Sequence, residues 1–166
     1  HTLLQELDLQ DPISRENPDK IASKDDNFLV PVTYMNSSAA LKAFVGRHGG
    51  IVCTSTNAQG VLEWALDRAG GSGKVLFFPD QHLGRNTAFK MGFNSKNMVI
   101  WDPKEIPNYE EIKEAKFVLW HGFCSVHQRF TVEQIHRLRT SHPEAMVVVH
   151  PECDRKVVQE ADADGS

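Results

Sequence analysis

The sequence predicts an α/β protein built from repeated small three-layer αβα units with short parallel sheets. Short apolar, β-branched runs recur along the chain, each bounded by turn residues. Segments of helical length lie between them, opening on Ser, Thr, Asn or Asp. Each run ends in a polar cluster, as parallel strands do when their carboxyl ends line one edge of a sheet.

The first 27 residues read as a helix end and linker from a preceding domain. Leu3, Leu4, Leu7 and Leu9 suit the end of an amphipathic helix, and Asp11 to Asn27 is polar without apolar periodicity. An α/β domain is expected over 28–115. Its first strand is Phe28 to Tyr34, followed by a short helix from Ala39 to Val45. Ile51 to Thr54 is the second strand. Thr54 to Asn57 cap a helix reaching Leu66 or Arg68, with Val61, Leu62, Ala65 and Leu66 on one face. Lys74 to Phe78, Leu83 to Met91 and Met98 to Trp101 read as strand, helix and strand. Glu110 to Lys116 suits a short helix.

A second, incomplete α/β domain is expected over 116–166, opening with the strand Phe117 to Trp120. Thr131-Val132-Glu133-Gln134 has the capping-box pattern, in which two side chains each satisfy an orphan helix N–H. The helix continues to Arg139. Ala145 to Val149 is the next strand, and Asp154 caps a last helix through Glu160. Neither His1 nor Asp164-Gly165-Ser166 resembles a natural terminus, so the chain is expected to be a fragment.

Composition narrows the function classes. Of 166 residues, 40% are hydrophobic and 24% charged, a soluble globular balance. Eighteen basic residues against 22 acidic leave a net charge of −4, which argues against a nucleic-acid surface. No apolar run approaches a membrane span, so no membrane partner is expected. Three cysteines make a poor disulfide framework and suit the reducing cytoplasm.

The strand ends carry the chemistry. Helix N-termini on that edge offer free N–H groups and a positive dipole end to carboxylates and phosphates. Gly70-Gly71-Ser72-Gly73-Lys74 is a turn rather than a phosphate loop: Val75 stands where Ser or Thr should follow the lysine, and it begins a strand. The cysteines leave two metal readings open. Cys124-x-x-His127 with His150-x-x-Cys153 makes a mixed zinc set, giving a zinc-stabilised α/β binding module without catalysis. Alternatively, one thiolate joins cysteines elsewhere around an iron–sulfur cluster.

Five stretches carry a specific resemblance. They are Val32 to Ala39, Cys53 to Ala58, Phe78 to Arg85, Gly122 to His127, and His150 to Cys153 followed by Ala161 to Ser166. In this order the chain resembles quinolinate synthase, the iron–sulfur enzyme family of NAD biosynthesis. The resemblance implies three similar α/β domains around one site, with a [4Fe–4S] cluster held by one cysteine from each. It implies condensation of iminoaspartate with dihydroxyacetone phosphate to quinolinate. It also implies a link to the L-aspartate-oxidising enzyme that supplies iminoaspartate. Carried over by motif, the cluster ligand is Cys124, whereas Cys53 and Cys153 are not ligands. Tyr34, His150 and Glu152 take catalytic roles in proton transfer at the substrate. Asn36, Ser55 and Ser166 bind substrate oxygens. Two further cluster cysteines would lie outside this sequence, so the fragment alone is expected to be inactive.

Overall fold

The computed structural model describes residues 29–165, apart from 103, 106 and 107. Strands β1 (Leu29–Tyr34), β2 (Ile51–Cys53), β3 (Lys74–Phe78), β4 (Met98–Trp101) and β5 (Phe117–Trp120) form one sheet. Helices α1 (Ala39–Arg47), α2 (Ala58–Ala69), α3 (Gln81–Lys90) and α4 (Tyr109–Glu114) connect them. The strand order is β2-β1-β3-β5-β4, and every ladder is parallel. The expected linker over residues 1–27 lies outside the described residues.

Alternation along the strands divides the core between the two faces. Val30, Val32, Val75, Phe77, Phe117 and Leu119 pack against α2 and α3 on one face. Leu29, Leu76, Phe78 and Val118 meet Val45 of α1 and Ile112 of α4 on the other. These strands are therefore apolar on both faces, as a sheet covered by helices requires. Burying a side chain as large as Phe77 or Phe117 contributes about 1.5–3 kcal/mol. Phe93 meets Phe117 edge-on, with ring centroids 5.0 Å apart.

The expected start of a second unit at residue 116 needs correction. Strand β5 inserts between β3 and β4, pairing Phe117 with both Val75 and Met98. Residues 117, 118 and 119 are buried in the first core, which settles where the strand belongs. The smaller unit after it contains α5 (Val132–Ser141), β6 (Val148–Val149), α6 (Arg155–Glu160) and β7 (Ala163–Asp164). Its core is Ile135, Val147, Cys153 and Val157. The expected strand from Ala145 shortens to two residues. Met146 is 74% exposed, and the Val147 N–H goes to the Asp162 carboxylate at 2.7 Å. Both reciprocal bonds of the expected capping box form between Thr131 and Gln134.

Gly84 explains how closely α3 lies on the sheet. A Cβ there would stand 2.7 Å from the Phe77 ring and 2.9 Å from Leu119 Cδ2. Gly84→Ala is expected to destabilise the protein by about 1–3 kcal/mol through overpacking, despite alanine's better helix propensity. Urea unfolding monitored by circular dichroism would measure this, and an unchanged midpoint would contradict the packing argument.

Candidate active site

A parallel sheet places all its strand carboxyl ends on one edge, and the favoured ligand position is where the chain reverses its direction of travel across the sheet. Here β2 lies on one side of β1 and β3 on the other, so that point falls between β1 and β3. Tyr34 ends β1, and Asp80 follows β3.

Asp80 is the hub. It is the N-cap of α3 and only 3% exposed. Its Oδ1 accepts from Leu83 N at 2.8 Å, and its Oδ2 accepts from Cys124 N at 3.0 Å. One carboxylate thus joins the turn after β3 to the turn after β5. Gly122 permits this approach, because a Cβ there would fall 2.2 Å from the Pro79 carbonyl oxygen. Gly122 O also accepts from Gln81 N at 2.9 Å.

Glu152 reaches the same point from the smaller unit. Its carboxyl comes close enough to that of Asp80 for the two to feel each other's charge. Neighbouring carboxyl groups resist a second negative charge. Burial and the adjacent Asp80 push Glu152 up to about 7. Asp80 is itself raised by burial, a shift opposed chiefly by the Leu83 N–H. Asn86 of α3 fixes the turn that carries Glu152. It is 3% exposed, and its amide donates to Pro151 O at 2.8 Å and Cys153 O at 2.9 Å.

Two histidines flank Glu152. His127 Nδ1 lies 3.4 Å from Oε2 and His150 Nδ1 lies 3.3 Å from it. The rings stack with centroids 4.7 Å apart. Burial, then the neighbouring His127, lower the His150 pKa below the ordinary histidine value. His150 Nδ1 accepts the Glu152 N–H at 3.2 Å, so that nitrogen is unprotonated in this arrangement.

The residues singled out from sequence divide as follows. Tyr34, Glu152, His150 and Cys124 come together around Asp80. Burial and then Glu152 raise the Tyr34 pKa, while a hydrogen bond with Ser55 opposes the shift. Ser55 is therefore joined to the cluster through the phenol. Asn36 lies exposed in the turn after β1, and Ser166 lies outside the described residues. Sequence reasoning assigned no separate task to Asp80 or Asn86. The spacing Ser/Thr/Asp-x-x-backbone marks Asp80 as a cap, but nothing local marks its second oxygen as a clamp on Cys124.

The mixed zinc set is not what the fold assembles. Cys153 is packed in the small core, and burial raises its thiol pKa. Burial pushes Cys53 up to about 12. Cys124, half-exposed at the mouth, instead converges with His127 and Glu152, their ligand atoms all within 4.8 Å of one another.

A family model described as quinolinate synthetase A protein matches residues 6–166. The chain belongs to the quinolinate synthetase A family. It is 58% identical over 144 residues to a quinolinate synthase of Corynebacterium glutamicum, covering 85% of this chain and 36% of the relative. It is 52% identical over 142 residues to that of Rhodopirellula baltica, covering 83% and 36%. It is 49% identical over 140 residues to that of Listeria monocytogenes, covering 83% and 37%. The chain thus spans a little over a third of the length of these curated relatives. No helix among the described residues is long and apolar enough to cross a membrane.

Proposed function

We propose that this chain supplies the proton-transfer centre and one cluster ligand of a quinolinate synthase, which condenses iminoaspartate with dihydroxyacetone phosphate in NAD biosynthesis. The carrying observation is Glu152: a buried carboxyl protonating near neutral pH, within the same cluster as an accessible thiol in a chain of this family.

Cys124 fits one corner of a [4Fe–4S] cluster, since it is accessible and its backbone is clamped. Cys53 and Cys153 do not fit, because both are buried and held as thiols. The other two ligands are therefore sought beyond this sequence. When bound through three protein thiolates, the cluster supplies one open iron as a Lewis acid for a substrate oxygen.

The chain's own residues do the rest. Glu152 gives a proton to a leaving hydroxyl or takes one from carbon during tautomerisation, and Asn86 fixes the turn that carries it. His150 presents a neutral imidazole beside it. Tyr34, raised and bonded to Ser55, remains a phenol and donates to a substrate oxygen. Ser55 lies just before α2, whose free N–H groups suit the substrate phosphate. Asn36 and Ser166 are assigned to substrate oxygens by motif. Three free thiols suit a cytoplasmic protein, alongside the L-aspartate-oxidising enzyme that supplies iminoaspartate.

The test uses the full-length enzyme purified without oxygen. Iron, sulfide and quinolinate formation from the two substrates are the expected result. Absence of quinolinate after cluster reconstitution rejects the reading.

A further inference from the structure

We infer that, when the cluster is absent, Cys124, His127 and Glu152 form a three-ligand site for a zinc ion. This inference does not depend on the proposed activity.

The donor atoms already converge, all lying within 4.8 Å of one another. Zinc bonds of about 2.0–2.3 Å in a tetrahedron require donor separations of about 3.3–3.8 Å. His127 Nδ1 and Glu152 Oε2 meet that spacing at 3.4 Å. Cys124 needs to close by about an ångström at most, within reach of a side-chain rotation at the mouth of the site.

A second observation points to a missing partner. His127 Nδ1 is buried and makes no hydrogen bond. It lacks the good geometry for a strong bond to Glu152, yet water does not reach it. Such an orphaned ring nitrogen is costly without an acceptor or an ion. An ion between it and the carboxylate satisfies both groups.

The supporting shell is also in place. Asp80 takes the Cys124 N–H, and Asn86 donates to Pro151 O and Cys153 O on either side of Glu152, so the backbones of two of the three ligands are held. His150 stacks on His127 and limits its rotation. Outer contacts of this kind fix ligand direction. One thiolate, one imidazole and one carboxylate suit zinc, whereas magnesium and calcium prefer oxygen-only sets. Three protein ligands leave the fourth position open. Zinc in this site occupies the thiolate assigned to the cluster, so the two metals exclude each other.

The experiment uses the full-length protein stripped of cluster, with Zn²⁺ titrated against a chromogenic chelator. Co²⁺ serves as the spectroscopic probe. One ion with a thiolate-to-cobalt absorption band is expected. Cys124→Ser should remove the band, and His127→Gln and Glu152→Gln should each weaken Zn²⁺ binding by about tenfold or more. Cys53→Ser should bind as the parent does. Circular dichroism checks each fold, and if His127→Gln unfolds, Glu152→Gln decides. An ion whose affinity needs Cys124 but neither His127 nor Glu152 is held by cysteines outside this chain, and that result overturns the inference. So does the absence of any stoichiometric Zn²⁺ binding. Neither readout involves quinolinate, so its failure is separate from failure of the proposed reaction.

Discussion

Cys124→Ser in the full-length enzyme is expected to abolish the broad visible absorbance of the cluster, whereas Cys53→Ser and Cys153→Ser retain it. The three thiols differ in access, and burial raises the pKa of two of them. Cys53 sits in the main core at 1% exposure and is pushed up to about 12 by burial. Cys153 is equally buried, in the small core, and is also raised. The ligating form is the thiolate, so both are poor candidates before geometry is considered. Cys124 stands half-exposed beside the turn after β5, its N–H held by Asp80. Serine there keeps the turn but offers a harder, weaker ligand for iron–sulfide. Replacing Cys53 or Cys153 removes only core contacts and adds a buried hydroxyl, which costs stability on the order of 1–3 kcal/mol. Iron and sulfide analysis beside the absorbance separates these outcomes. Loss of iron in Cys153→Ser alone, with the protein still folded, contradicts the assignment.

The parallel sheet was legible because each strand announces itself locally by apolar alternation and a capped helix beyond it. The neighbours of each strand were not. Phe117 to Trp120 reads as a strand, but no local feature says that it lies between β3 and β4. That order follows from long-range packing of Phe117 and Leu119 under α3. The same limit applies to the site. Cys124, His150 and Glu152 stood out by motif because each follows a strand. Asn86 did not, because a mid-helix asparagine ordinarily faces solvent. Only the seating of the turn from Pro151 to Cys153 on α3 turns it into a buried double donor. The pairing of His127 with Glu152 was hidden for the same reason, since the two lie 25 residues apart and meet only once the small unit has docked.

Glu152→Gln is expected to lower quinolinate turnover by about a hundredfold or more, the usual scale for loss of one general acid or base. The cluster and substrate binding should survive. Glutamine keeps the length of the side chain and is neutral beside Asp80, as the protonated carboxyl is. It cannot carry a proton to or from substrate. The same substitution changes how stability varies with pH in the metal-free protein. Glu152 has its pKa raised from the ordinary value of 4.5 to about 7. Between those values the folded state holds a proton that the unfolded state releases. The stabilising contribution of the protonated group is thus full below about 4.5 and lost as pH rises through about 7. Glutamine does not ionise, so the variant should gain stability relative to the parent as pH increases from 5 to about 8. Urea midpoints of both proteins at the two ends of that window measure the effect. A turnover near that of the parent, with the cluster intact, would leave Glu152 as a packing residue. A relative stability independent of pH would instead show that its carboxyl ionises as an ordinary glutamate does, despite burial and the adjacent Asp80.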